Sequence, residues 1–389
     1  MTQLKGNMLI AHGGGPTPVI NSSLRGAVEQ ARKYDEIETV YAARFGVEGV
    51  LRDELVDLGL WDEDCLKRLS FTPASAIGSC RRKLGDSDYP RVLECFEKYN
   101  IRYFFYNGGN DSMDTCHKIH RMAAQAGYDL RVIGIPKTID NDLAQTDHSP
   151  GYGSAARYAA MSAVELAMDA AALPIHVVVL EVMGRNAGWI TAAASLFSEH
   201  MPCEHLIYLP ELAFDKQRFL TDVKDAFNKR RGLLVTVSEG IKDAGGKLIG
   251  DTGIRDGFGH PVPGGAAQSL AGLIMAETSL RARAEKPGLL GRVSIAHQSP
   301  VDRDEAYRAG AFAVESAVGG ESGFMVSIRA ERSPVYHSEM NLVPLKEVAN
   351  AEKYFPLEWI TQSGNGITPA FREYCLPLIG SERPDYASL

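Results

Sequence analysis

The stretch Val132-Ile133-Gly134-Ile135-Pro136-Lys137-Thr138-Ile139-Asp140-Asn141-Asp142 decides the fold. A short apolar run ends on a proline, and a polar turn with one lysine and two carboxylates follows. An apolar run without alternation reads as a strand buried on both faces, the pattern of a parallel sheet. The theme recurs. Met8-Leu9-Ile10-Ala11 leads into His12-Gly13-Gly14-Gly15-Pro16, and Tyr103-Phe104-Phe105-Tyr106 leads into Asn107-Gly108-Gly109-Asn110-Asp111-Ser112. Val177-Val178-Val179-Leu180 leads into Glu181-Val182-Met183-Gly184-Arg185. Between the runs, apolar residues fall at helical spacing, as at Val19, Ile20, Leu24, Ala27, Val28 and Ala31. The fold class is therefore α/β. Ligands of such sheets sit at the strand C-termini, where these turns lie.

With 389 residues the chain is long enough for two sizeable cores. A second lobe is expected to begin near Pro150-Gly151-Tyr152-Gly153. It should run through an Ala-rich helix over about 155–172 and a strand at Leu233-Leu234-Val235-Thr236-Val237-Ser238. The stretch from Gly257 to Gly265 reads as loop, and Ala266 to Ile274 as a helix start and core. From about Ser333 no period is clear, and the segment reads as an appendage packed on the lobes.

The 41 basic residues are outnumbered by 49 acidic ones, giving a net charge of −8. That balance argues against generic nucleic-acid binding, which depends on neutralising many phosphates. An anionic ligand would need locally placed cations. The six cysteines are scattered without zinc spacing and read as free thiols of a reducing compartment. No stretch has the length of a membrane span or a signal-peptide core, so a cytoplasmic location without membrane partners is expected.

The turns carry the chemistry. Gly13-Gly14-Gly15-Pro16 exposes backbone N–H groups suited to phosphate, and is read as ending a strand and opening a helix. It matches neither GxGxxG nor GxxxxGK[ST], which weakens dinucleotide and P-loop readings. In Lys137-Thr138-Ile139-Asp140-Asn141-Asp142 two close carboxylates would repel unless a cation were present. Lys137 supplies one cation, and Mg²⁺ bridging carboxylate to phosphate could supply another. One Asp is then free to act as general base on a hydroxyl. Together the turns point to phosphoryl transfer, a chemistry of positioning and charge stabilisation.

Over nearly its full length the sequence resembles the phosphofructokinase family, and within it the pyrophosphate-dependent enzymes. The resemblance rests on Gly14-Gly15 with Pro18 and Asn21, Ile77-Gly78-Ser79-Cys80-Arg81, and Gly108 to Ser112. It continues through Pro136 to Asp142, Thr146-Asp147-His148 with Gly151-Tyr152-Gly153, Met183-Gly184-Arg185 and Ser238-Glu239-Gly240. It implies two Rossmann-like three-layer lobes with mainly parallel sheets and a C-terminal extension. Residues 1–150 plus about 289–335 would form the phosphoryl-donor lobe, 151–288 the sugar-phosphate lobe, and 336–389 the extension.

The implied reaction is reversible Mg²⁺-dependent transfer from pyrophosphate to the 1-hydroxyl of fructose 6-phosphate, giving fructose 1,6-bisphosphate and phosphate. The resemblance makes Asp140 the general base and gives catalytic roles also to Thr138, Asp142, Arg185, Lys137 and Asp111. It places Gly14, Gly15, Arg81, Asp111, Ser112 and Lys137 on the donor. Thr138, Ile139, Asp140, Met183, Gly184, Arg185, Glu239, Arg283 and Arg292 fall on the sugar phosphate, and Asn110, Asp111 and Asp142 on the metal. A homodimer or homotetramer is implied, because one family arginine reaches across a subunit interface.

ATP-dependent members carry glycine where this chain has Asp111 and Lys137. A carboxylate at 111 would take the place and charge of an ATP α-phosphate, and Lys137 would offset pyrophosphate, so pyrophosphate is the expected donor. The chain departs from the family in several places. Asn110 replaces a metal-binding Asp, His176 an Arg, and Leu289 a His, while Gly291-Arg292-Val293-Ser294 weakens a Gln-Arg-Gly-Gly run. The alternatives are an ATP-dependent enzyme and a catalytically silent regulatory subunit. Sedoheptulose 7-phosphate stays open as a second acceptor.

Overall fold

The structure is a computed structural model that describes residues 4–172, 177–251, 253, 265–380 and 386–387. Its strands are β1 (Gly6–His12), β2 (Ile37–Ala43), β3 (Leu55–Asp57), β4 (Ile101–Gly108), β5 (Arg131–Pro136) and β6 (Val177–Val182). Then come β7 (Glu204–Tyr208), β8 (Leu233–Ser238), β9 (Ala282–Glu285), β10 (Phe324–Glu331) and β11 (His337–Pro344). The chain divides into two compact units, 1–154 with 292–353 and 155–291 with 354–389.

The first unit holds a seven-stranded sheet in the order β11-β10-β5-β4-β1-β2-β3. Its central pairs are parallel, with Leu9 opposite Phe104 and Phe104 opposite Val132. Each strand divides its side chains between two cores. Met8, Ile10, Phe105 and Ile133 join Leu24, Val28, Ala313 and Val314 on one face. Leu9, Ala11, Phe104 and Val132 join Phe96, Met113, Cys116 and Ile119 on the other. Helices therefore cover both faces, which is why the strands read as unbroken apolar runs.

On the first face, helix Ile20–Ala31 lies against helix Pro300–Val318 at backbone contact. A Cβ on Gly26 would fall on the Tyr307 carbonyl oxygen, and one on Gly310 on the Ser23 carbonyl oxygen. Gly26→Ala must part the helices, and overpacking of this kind costs about 1–3 kcal/mol. Thermal unfolding is expected to show a loss of roughly 2–4 °C per kcal/mol. An unchanged Tm would contradict the close crossing.

The second unit holds a four-stranded parallel sheet in the order β7-β8-β6-β9. Val177, Val179, Val235 and Val237 meet Phe219, Val223, Leu270 and Ile274 on one face. The helix expected over about 155–172 runs Tyr152–Ala172, and that expected from Ala266 runs Ala266–Glu277.

Two expectations are corrected. The first glycine turn does not open a helix directly. Helix Ile20–Ala31 starts four residues beyond Pro16, because Pro16 and Pro18 bias the residues before them away from helix. The segment expected as one appendage over 336–389 is divided. β11 pairs antiparallel with β10 along its whole length and closes the edge of the first sheet. Residues 354–389 belong to the second unit, where Phe355, Trp359 and Tyr374 ring Trp189 at centroid distances of 5.1, 5.9 and 5.4 Å. Burial of aromatic surface, which has no short period in sequence, holds this part of the tail. Residues 254–264 and His176 lie outside the described residues, so the loop expected at Gly257 and the departure at 176 are not described.

Candidate active site

In the first unit three strand ends meet. β1 ends at His12, and Gly13 N–H donates to Asn107 O at 2.9 Å. Gly14, with φ 78°, donates to Cys80 O at 2.8 Å, and Ser79 Oγ donates to Gly14 O at 2.7 Å. The segment carrying Arg81 is thus fastened to the glycine turn. A Cβ on Gly13 or Gly108 would fall on the Ser112 hydroxyl, so that buried serine fills the space between the two glycine turns. Beyond the second turn, Gly109 caps helix Asn110–Gln125 at its N-terminus. First-turn N–H groups without intrahelical partners face that end, as anion sites require.

Around Gly14 and Gly15 stand three cations. Lys137 is 3% exposed, and its Nζ donates to Gly15 O at 2.8 Å. The Cβ position of Gly14 lies 3.2 Å from Lys137 Nζ, and that of Gly15 lies 3.0 Å from Arg292 Nη1 and 3.5 Å from Arg81 Nη2. Any side chain at 14 or 15 would take the space in front of these groups. Burial pushes the Lys137 ammonium down to about 8, Asp140 and Asp142 pull it up, and Arg81 and Arg292 press it down again. Buried His12 is lowered to about 3, first by burial and then by Lys137. Both shifts come first from burial, and it is the gathering of Lys137, Arg81 and Arg292 at one glycine turn that suits an anion.

Asp140, half-buried, and Asp142 flank Asn141 on the turn after β5. Asp140 N–H donates to Thr138 Oγ1 at 3.1 Å, and Thr138 N–H donates to Pro150 O at 3.2 Å. Ile139 is buried beneath them. Burial raises the Asp142 carboxyl, and Glu352 adds to the rise. Asn110 Nδ2 donates to Asp142 Oδ2 at 3.4 Å. The remaining oxygens, Asn110 Oδ1 and Asp142 Oδ1, are buried without a hydrogen-bond partner. Two adjacent orphaned acceptors fit a hard divalent cation that takes few protein ligands and completes its shell with water and phosphate. Among the described residues no cluster of three or more His, Cys, Asp or Glu could hold a metal. Asp111 stands exposed in the first helical turn.

The second unit holds the other group. Gly184, with φ 130°, follows β6, and Ser238 Oγ donates to its carbonyl oxygen. Glu239 N–H donates to Val182 O at 3.0 Å. A Cβ on Gly240 would fall on the Arg185 carbonyl oxygen, so Met183-Gly184-Arg185 and Ser238-Glu239-Gly240 lie backbone to backbone. Burial raises the Glu239 carboxyl, Lys286 lowers it, and Glu181 raises it. Arg283 is exposed on edge strand β9. Arg292 was expected with Arg283 on the sugar phosphate. It lies beside Gly15 in the first unit and Arg283 stands in the second, because the chain passes from one unit to the other between the two arginines.

Sequence reading gave several residues no role. Glu181 is 2% exposed, pairs with Lys286 Nζ at 2.6 Å and accepts Ala267 N–H at 2.9 Å. Its place in an apolar strand was a signal, since a buried carboxylate demands a partner. In the first unit, His148 lies between Asp147 Oδ1 at 2.9 Å and Glu305 Oε2 at 2.7 Å, and Arg332 Nη1 reaches Asp147 Oδ2 at 2.9 Å. Burial lowers His148, but Glu305 and Asp147 outweigh it and raise the ring to about 9. The unfolded ring titrates near 6.5, so this contribution is complete below that pH and disappears as pH rises through about 9. Urea unfolding of His148→Gln is therefore expected to lack part of the stability loss that the parent shows between those two values. Parallel pH profiles would contradict a charged His148.

A sheet-end pocket of glycine turns, a buried lysine flanked by two arginines, and paired carboxylates defines the class: a phosphate-handling α/β phosphotransferase. The family profile described as Phosphofructokinase matches residues 7–317. A pyrophosphate–fructose 6-phosphate 1-phosphotransferase of Methylococcus capsulatus is 42% identical over 98% of this chain and 93% of its own length. That of Halomonas elongata is 40% identical over 97% and 92%. A pyrophosphate-dependent phosphofructokinase from Nitrosospira multiformis superposes with a TM-score of 0.90 at 39% identity, covering 98% of this chain and 94% of that one. The chain belongs to the phosphofructokinase family.

Proposed function

We propose that the protein transfers a phosphoryl group reversibly from pyrophosphate to the 1-hydroxyl of fructose 6-phosphate. The observation that carries this reading is the Lys137 ammonium, buried against the Gly14–Gly15 turn with Arg292 and Arg81 beside it. A lysine chain fills the space that a glycine at 137 would leave for a nucleotide. The full-length likeness to proteins named for this reaction supports it further.

In this reading the first unit is the donor unit. Backbone groups of Gly14 and Gly15, with Arg81, Ser112, Lys137 and Arg292, hold pyrophosphate. Asp140 accepts the proton of the sugar hydroxyl as that oxygen bonds to phosphorus, and the bridging P–O bond breaks to release phosphate. Thr138 and Ile139 line the turn that presents Asp140, and Thr138 meets the transferring group. The second unit is the sugar-phosphate unit, with Met183, Gly184, Arg185, Glu239 and Arg283. Asn110 and Asp142, with Asp111 in the first helical turn, would hold Mg²⁺, which when bound neutralises charge on the transferred phosphate. The reading includes a homodimer or homotetramer and a cytoplasmic location, which six free cysteines support.

Phosphorus NMR of the purified protein with Mg²⁺, pyrophosphate and fructose 6-phosphate tests this. Fructose 1,6-bisphosphate and phosphate should appear in equal amounts, and pyrophosphate should form from them in reverse. Silence in both directions with intact fold would favour a regulatory subunit. Among relatives, a sulfofructose kinase of Alkalicoccus urumqiensis is 32% identical over 91% of this chain, so the acceptor series in the assay should include other ketose phosphates and sulfonates.

A further inference from the structure

The turn that presents Asp140 is held from behind by a residue no motif contains. Asn141 is fully buried with φ 55°, a left-handed conformation that asparagine adopts more readily than most residues when its side chain is hydrogen-bonded. Its Oδ1 accepts Ser149 N–H at 3.1 Å and Lys353 Nζ at 3.3 Å. The same ammonium donates to Asp147 O at 2.7 Å and Thr146 O at 3.3 Å. An ammonium has three protons to donate, and these three oxygens can take all of them. Lys353 N–H donates to Asp142 O at 2.8 Å, and Leu143 bridges Glu352 in antiparallel fashion. One residue thus grips the turn at Asn141, at Asp142 and at 146–147. Lys353 is half-buried, and drawing its ammonium away from water is costly unless its protons are bonded.

We propose that Lys353 is a positioning residue for the phosphoryl-transfer turn, a clasp that fixes Asn141 in its left-handed conformation and so aims the carboxyl groups on either side of it. The inference rests on the reading of Asp140 as base. Aim matters more to rate than to binding, because displacement of about 1 Å in a catalytic group costs roughly 10²-fold.

The test uses steady-state kinetics of the whole chain with pyrophosphate and fructose 6-phosphate. Lys353→Met is expected to lower kcat by roughly 10–100-fold with both KM values within about threefold of the parent. Asn141→Gly, which keeps the backbone conformation but removes Oδ1, should lower kcat in the same manner. The double variant should be no slower than the slower single one, since both break one clasp. An unchanged kcat in Lys353→Met, or a loss that appears in KM alone, would overturn the inference. Should Lys353→Met not fold, Asn141→Gly decides alone, and a parental kcat there overturns it. Asp140→Ala in both backgrounds separates this inference from the reading beneath it. A smaller cost in Lys353→Met than in the parent is the expected result. Equal, large costs would sink the clasp and leave the base standing, whereas no cost in the parent would sink the base.

Discussion

Asp140→Ala is expected to lower kcat by about 10²–10⁴-fold, the range of general-base assistance. Pyrophosphate binding should survive it. Donor affinity in this account comes from Lys137, Arg81, Arg292 and the Gly14–Gly15 backbone, none of which the substitution removes. Asp140 is moreover an anion near those cations, and it heads the charges that raise the Lys137 ammonium. Its loss leaves the pocket more positive, so pyrophosphate affinity should hold or rise while turnover collapses. Calorimetric titration of pyrophosphate beside steady-state kinetics checks both halves. A near-parental kcat would remove Asp140 as base, and a collapse of both quantities would mean that the turn itself had been lost.

The second large effect concerns the donor. Asp111→Gly with Lys137→Gly is expected to give measurable turnover with ATP and to weaken pyrophosphate use. Removing a charged hydrogen-bond partner costs about 1.5–3 kcal/mol, so kcat/KM for pyrophosphate should fall by about 10–10²-fold or more. The structure sharpens the two contributions. Lys137 is buried and its chain occupies space at the glycine turn, whereas Asp111 is exposed in the first turn of its helix. Lys137→Gly alone should therefore account for most of the pyrophosphate loss, whereas admission of the nucleotide should need both side chains removed. Loss of both donors without any gain would show that steric relief is not sufficient.

Much of this was legible in the sequence, for a physical reason. Strands buried on both faces leave unbroken apolar runs, and β1, β4, β5, β6 and β8 were all readable as such. Glycine turns and paired carboxylates directly after those runs marked the site, since few other arrangements tolerate that chemistry. What escaped notice depends on contacts far apart along the chain. β11 pairs along one edge with β10, and its half-exposed residues show no clean period. Arg292 reads as a neighbour of Arg283 in sequence but belongs to the other unit. Lys353 lies in Asn350-Ala351-Glu352-Lys353, a stretch with no motif, and its bonds to Asn141, Thr146 and Asp147 give it meaning. His148 and Glu305 form a buried pair across 157 positions, which composition could not announce.

The most direct test of the central claim is the ratio of kcat/KM for pyrophosphate to that for ATP, measured with fructose 6-phosphate at matched free Mg²⁺. A buried lysine at 137 and a carboxylate at 111 predict a ratio of roughly 10²–10⁴, since each of the two interactions with a charged group contributes about 1.5–3 kcal/mol. A ratio near or below one would contradict the account.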